Sequence, residues 1–152
     1  MTRSLLTSLA SGVAGAVALT AIHQAAQRRI PDAPRMDVLG MRALRRFVPA
    51  FEHERPRSSR LHRWALAGDL IANSLYYAAV PAKTTGATWA RAAALGLGAG
   101  AGALWLPQPM GLGEPPKSAS RANQLMTVAW YLTGAMTAAM AATALRRRSS
   151  AA

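Results

Sequence analysis

Residues 4–27 read SLLTSLASGVAGAVALTAIHQAAQ, and residues 122–145 read ANQLMTVAWYLTGAMTAAMAATAL. Neither run contains Asp, Glu, Lys or Arg. A soluble amphipathic helix mixes charge into every turn or two, because one face meets water and polar residues recur at a period of about 3.6. Here whole helix lengths carry none. Each run is longer than the roughly 20 apolar residues that cross about 30 Å of hydrocarbon at about 1.5 Å per residue. The reading is an all-α, polytopic membrane protein.

Working outward from these runs, the chain divides into four spans. The first covers 5–26 and ends in Gln27-Arg28-Arg29, with Pro31 and Pro34 blocking continuation. The second covers 64–80, closed by Pro81 and Lys83. The third covers 89–106, stopped by Pro107 and Pro109. The fourth covers 122–145, ended by Arg146-Arg147-Arg148. The third carries the weakest signal for a span: it holds Arg91 near its start, and its many Gly and Ala contribute little insertion energy. Trp89 and Trp105 bracket it, separated by about 24 Å of helix, which fits two interfacial anchors. A buried or re-entrant helix is the alternative for this segment. The start, Met1-Thr2-Arg3 before an apolar run, also resembles a signal peptide, with Ala14-Gly15-Ala16 and Ala16-Val17-Ala18 as cleavage-like sites. The run is longer than a usual signal core and further spans follow, so an uncleaved first helix is expected.

At 152 residues the chain suits one membrane domain, 1–152. Its net charge of +12 alone would point to nucleic acid, and its mean hydropathy of +0.10 alone to a nearly soluble chain. Both averages mislead because the charges are segregated. The absence of cysteine excludes disulfides, thiolate zinc sites, iron–sulfur ligation and cysteine nucleophiles. The basic loop 28–63 carries ten arginines, and the Pro/Gly loop 107–120 leads to Lys117 and Arg121. The positive-inside rule then puts both loops in the cytoplasm and both termini outside, with the terminal Arg triplet opposing. The loop 28–63 matches no known nucleic-acid module, so topology explains its charge and no nucleic acid is expected as partner.

Within that loop, residues 36–51 place Val38, Leu39, Met41, Leu44, Phe47, Val48 and Phe51 among Arg42, Arg45 and Arg46. This predicts an amphipathic helix lying in the membrane interface, its arginines on anionic lipid headgroups, weakened by Gly40 and Pro49. Residues 52–63 read as a solvated linker. Glu52 and Glu54 flank His53 there, as surface charge rather than as catalytic acids.

Asp69 is the residue that most invites explanation. An ionisable side chain inside a span is costly and tends to be paired or functional. Asn73 lies at i+4 on its face, and Tyr76 continues that face. His23 lies five residues before Arg28, and Asp69 six after Arg63, so both are expected at one depth. Asn123, Gln124 and Thr127 enter the fourth span at that level, and Thr20 is one turn beyond His23. The expectation is one polar cluster of Thr20, His23, Asp69, Asn73, Tyr76, Asn123 and Gln124. It serves either as interhelical glue, at about 0.6 kcal/mol per bond, or as a protonatable pair for an ion or small cation. An isolated histidine is weak ground for haem or metal, and no cofactor or metal is expected.

Gly96 with Gly100, Gly98 with Gly102, Gly12 with Ala16 and Ser11 with Gly15 are small-xxx-small pairs that let helix backbones approach. Packing inside one bundle is the plainer use, dimerisation the other. The run Gly96-x-Gly98-x-x-Ala101 matches a loose dinucleotide fingerprint, but no strand precedes it. There is no Walker loop, no His-Glu-x-x-His, no Ser–His–Asp arrangement and no internal repeat.

Two segments, Ala33-Pro-Arg35-Met-Asp37-Val-Leu-Gly40 and Gly68-Asp69-Leu-Ile-Ala-Asn73-Ser-Leu-Tyr76-Tyr77, with the four-span layout, resemble small, functionally uncharacterised bacterial membrane proteins. The resemblance implies a bacterial inner-membrane location and no activity. The expected function is a non-enzymatic structural, assembly or interaction bundle. The alternative is a small transporter or channel component using Asp69 and His23. The expected partners are the bilayer, its anionic headgroups, and a second copy or another membrane protein.

Overall fold

A computed structural model describes residues 2–31, 33–113 and 120–151. Lys117 and the loop segment 114–119 lie outside the described residues. The described chain is all-α: α1 (Thr2–Arg29), α2 (Met36–Phe47), a 3-10 turn (Pro49–Phe51), α3 (Ser59–Tyr77), α4 (Thr85–Trp105) and α5 (Arg121–Ala151). Two helices are long and apolar enough to cross a membrane, α1 over Ser4–Arg29 and α5 over Arg121–Ser149. The four expected are not all met on this criterion. α3 carries Arg60, Arg63 and Asp69, and α4 carries Arg91 among five glycines.

Hydroxyl caps set the helix starts, several residues outside the apolar windows. Ser58 accepts the Leu61 N–H at 3.1 Å, Thr84 accepts that of Ala87 at 3.2 Å, and Ser120 accepts that of Asn123 at 3.1 Å. Each satisfies a donor that a helix N-terminus otherwise leaves unpaired. The expected linker 52–63 is therefore helical from Ser59, and Leu61 is fully buried. At the other end the Arg triplet does not stop α5, which runs on to Ala151. Arginine is a good helix former; charge ends an apolar window without ending a helix.

In the bundle α3 packs on α1, α1 on α5, and α5 on α4. The centre is lined by small residues: Ala16 on α1, Ala92 on α4, and Ala135, Ala138 and Ala139 on α5, with Leu19, Tyr77 and Val80 filling between them. The glycines make this approach possible. A Cβ at Gly12 would collide with the main chain of α3 at Ser74 and Ala78. One at Gly15 would lie 2.6 Å from the Gly134 carbonyl oxygen. Cβ atoms at Gly96 and Gly100 would each come within 2.7 Å of an α5 Cα, that of Leu132 and that of Val128. The expected pair Gly98 and Gly102 points elsewhere: their Cβ positions meet only the Tyr76 hydroxyl at 3.7 Å and Leu106 of the same segment. A 3.6-residue period turns alternate glycines onto different faces. Gly134, which faces Gly15 and Tyr77, is an unforeseen member of the set.

Residues 36–51 are not one helix. α2 ends at Phe47, and Pro49 opens the 3-10 turn because its ring cannot continue the helix. Nor does α2 turn its apolar face outward. Met41 packs with Phe51, Leu61 and Ala65, while Met36 and Leu39 pack with Leu112. Gly40 allows the close approach, since its Cβ would sit 3.3 Å from that of Ala65. α2 is thus docked on α3, leaving Phe47 and the arginines at the surface.

At the opposite end, Arg91 reaches back to the Ala79 and Pro81 carbonyls at 3.3 and 3.1 Å. Arg146 donates to the Ala82 carbonyl and, at 3.1 Å, to Thr88 Oγ1. Carbonyls left over beyond the end of α3 thereby gain charged donors.

Candidate functional site

Asp37, which opens α2, is the best-connected polar group. Arg35 grips its carboxylate with both ends of a guanidinium fork, Nε to Oδ1 at 2.9 Å and Nη2 to Oδ2 at 2.8 Å. Gln27 of α1 donates to Oδ1 at 3.1 Å, and His62 Nδ1 of α3 stands 3.8 Å from Oδ2. The side chain is 2% exposed. A carboxylate also suits the first turn of a helix, where main-chain N–H groups are unpaired. α1, α2 and α3 therefore meet on one side chain. Burial alone would raise the Asp37 pKa; the Arg35 hydrogen bond and charge outweigh it and hold the group below its ordinary value.

A carboxyl whose folded pKa is depressed contributes stability that is present above its unfolded pKa of about 3.9 and is lost as pH falls through the lower folded value. The docking of α2 should hold unchanged from pH 7 to about pH 5 and weaken below about pH 4. Amide hydrogen exchange across 36–47 reads this. In Asp37→Asn the acid-induced loosening should be gone, with α2 already loosened at pH 7 by about 1–3 kcal/mol, the range for hydrogen bonds to a charged group.

Below Asp37 lies a small enclosed cavity of about 20 Å³, room for about one water. Thr20, His23, Gln24 and Gln27 of α1 line it, with Asp37 and with Asp69 of α3. Three members of the expected cluster, Thr20, His23 and Asp69, are thus brought together. Thr20 Oγ1 faces the Asp69 carboxylate without closing a hydrogen bond of good geometry. His23 is 5% exposed, and its Nε2 has no hydrogen-bond partner among the described residues. Its ring meets those of Trp130 and Tyr131 edge-on, at 5.1 and 5.9 Å between centroids. Asn73 joins from within α3, its Nδ2 donating to both the carbonyl and Oδ1 of Asp69 at 2.9 Å.

Tyr76, Asn123 and Gln124 do not line this cavity. Tyr76 donates instead to the Leu95 carbonyl of α4 at 3.0 Å. Asn123 is buried one helical turn from Thr127, which donates to its carbonyl at 2.9 Å, and Gln124 is exposed. The reason is depth. α3 starts at Ser59, so Asp69 lies ten residues in, at the level of Tyr131, which is ten residues into α5. Counting from Arg63 placed Asp69 a full turn too shallow. Tyr77, which the expected cluster omits, is fully buried and donates its hydroxyl to the Tyr131 carbonyl at 2.8 Å. Asp37 and Gln27 were also unforeseen; an acid at the first turn of a predicted helix, two residues after an arginine, was the available signal.

Among the described residues no three His, Cys, Asp or Glu side chains converge as a metal site would need. Arg42 and Arg46, expected on headgroups, also hold the loop after α4. Arg42 donates to the Leu112 carbonyl at 3.0 Å, and a Cβ at Gly111, whose φ is +71°, would lie 3.0 Å from the Arg46 guanidinium. Compared with protein-family models, with curated proteins and with solved structures, the chain matches none.

Proposed function

We propose that this chain is a multi-pass protein of the bacterial inner membrane, crossed by α1, α3, α4 and α5, and that it acts as a non-enzymatic structural, assembly or interaction bundle. The observation that carries the reading is an inverted polarity. Large apolar side chains face outward on all four helices, from Leu9 at 47% exposed through Val17, Ile71, Leu75, Leu97 and Met140 to Leu125 at 70%. Ser11, His23, Asn73, Thr88 and Thr127 are buried inside. Water would penalise so much contiguous apolar surface, whereas lipid favours it. At 19 and 21 residues, α3 and α4 reach about 28 and 31 Å, close to the hydrocarbon thickness. Trp64 and Trp105 are exposed at the α2 end and Trp89 at the other, as interfacial belts would be.

The glycine-mediated contacts and the one-water cavity beside Asp69 support a packing role for the polar groups. With the basic loops cytoplasmic, Arg91 and Arg146 on the far side are engaged with main-chain carbonyls, which lessens their opposition to that orientation. The reading predicts that the protein resists alkaline carbonate extraction and that reporter fusions place both termini outside. A cytoplasmic C-terminus with an external N-terminus would sink the four-span arrangement. A second reading, transport, is favoured by the shared cavity of Thr20, His23 and Asp69 and the free Nε2 of His23. Proton or cation flux in vesicles that is lost in Asp69→Asn would establish it over the first.

A further inference from the structure

α3 and α4 flank the bundle without packing against each other along their length; the Tyr76–Leu95 hydrogen bond ties them near their shared loop. Towards the α2 end they part, and a cleft of about 410 Å³ opens between them. Its walls are mostly apolar, from Leu39 and Phe47 of α2, Ala72 of α3 and Ala103 of α4, and Tyr131 of α5 and the carboxyl-bearing Asp69 of α3 also line it. The volume is that of a ligand site rather than of a packing defect.

Phe47, Val48 and Leu112 also line a second cavity, of about 490 Å³, so the two adjoin. The second is a basic bowl. Among the described residues Arg42, Arg45 and Arg46 line it with one acid, Glu52. The Nε of Arg45 is buried and has no hydrogen-bond partner among the described residues, and a buried donor without a partner is costly. A guanidinium cluster matches phosphate in charge and geometry. An apolar slot continuous with a phosphate-binding bowl, at the end of a bundle where the headgroups would lie, fits one kind of molecule.

We infer that the bowl and cleft together form a site for one anionic diacyl phospholipid, its phosphate against Arg42, Arg45 and Arg46 and one acyl chain between α3 and α4. The inference rests on the membrane reading above. In a bilayer the acyl chain gains little by leaving its neighbours, so the arginines supply selectivity for charge and the cleft supplies position.

The test reconstitutes the full chain in nanodiscs of phosphatidylethanolamine with a minor fraction of phosphatidylglycerol and counts retained lipids by native mass spectrometry. One phosphatidylglycerol should be retained in preference to phosphatidylethanolamine. Arg45→Gln should weaken retention about fivefold, and neutralising all three arginines about a hundredfold. Gly68→Leu should also lower it, because Gly68 lines the cleft and nothing lies within 4 Å of an added Cβ, so the side chain fills the slot without disturbing the fold. Retention that tracks bulk leaflet charge and ignores Gly68→Leu would overturn the site. Complete displacement by inorganic phosphate would overturn the acyl-chain half of it. A chain that inserts yet shows no preference for phosphatidylglycerol refutes the lipid site alone; a chain stripped from membranes by alkaline carbonate refutes the membrane reading beneath it.

Discussion

Gly12→Leu is expected to drive α3 off α1. The new Cβ would already overlap the Ser74 carbonyl oxygen and crowd the Ala78 main chain, and neither can swing aside as a side-chain tip can. Overpacking a filled interior typically costs about 1–3 kcal/mol. A collision with helix backbone belongs at or beyond the upper end of that range. Separation of α3 from α1 would also open the Asp69 cavity, since α1 supplies Thr20 and His23 to it. Gly98→Leu is the matched control: it makes the same chemical change on a surface where the nearest atom to the added Cβ is the Tyr76 hydroxyl at 3.7 Å. Its effect should stay within about 1 kcal/mol, and helix propensity, which favours Leu over Gly, makes it neutral to stabilising. Unfolding by sodium dodecyl sulfate in mixed micelles, followed by circular dichroism, separates the two. Equal midpoints for both variants would mean that α1 and α3 do not meet at Gly12.

Tyr77→Ala should be comparably damaging, by about 3–5 kcal/mol, the usual cost of emptying a large aromatic site in a core. Tyr77 is fully buried between α1, α3 and α5, with its ring at 3.0 Å from the Cβ positions of both Gly15 and Gly134. Small residues on two helices thus leave a slot shaped for one ring. Tyr77→Phe isolates the hydroxyl. It removes only the bond to the Tyr131 carbonyl, and its cost should be near 1 kcal/mol or below, as interhelical bonds in membranes are. The ordering Ala far worse than Phe is the expected result in the same micellar unfolding assay. A Phe variant as damaging as Ala would shift the weight of this contact from packing to hydrogen bonding.

These two residues show what could be read in advance and what could not. α1 and α5 were legible because a helix length without charge has few physical meanings. Gly12, Gly15, Gly96 and Gly100 were legible as small residues at helical spacing, but Gly98 and Gly102 shared that spacing on a different face. Only the angular position of a partner helix tells such faces apart. Depth along α3 was misjudged because Arg63, the last charge, lies inside the helix, while the start is set by the Ser58 hydroxyl. Tyr77 and Asp37 were hidden for a related reason. The partner of Tyr77 lies 54 positions away, and Asp37, whose Arg35 partner is local, also meets Gln27 and His62 on two flanking helices; no local pattern encodes those distant meetings. The apolar face of α2 is legible in the sequence, but not that α3 covers part of it; an amphipathic pattern says that a face must be covered and not by what.

The Arg146 contact bears on the order of assembly. Arg146 and the Ala82 carbonyl that it binds are 64 positions apart, so the turn between α3 and α4 is completed by a side chain that leaves the ribosome much later. Until α5 takes its place, the Ala82 carbonyl has only the long hydrogen bond from Thr88 Oγ1, at 3.5 Å, among the described residues, and Thr88 lacks its guanidinium neighbour. The hairpin of α3 and α4 is thus held open to correction until a helix translated afterwards arrives and latches it. Arg146→Gln would leave every apolar window intact and remove the latch.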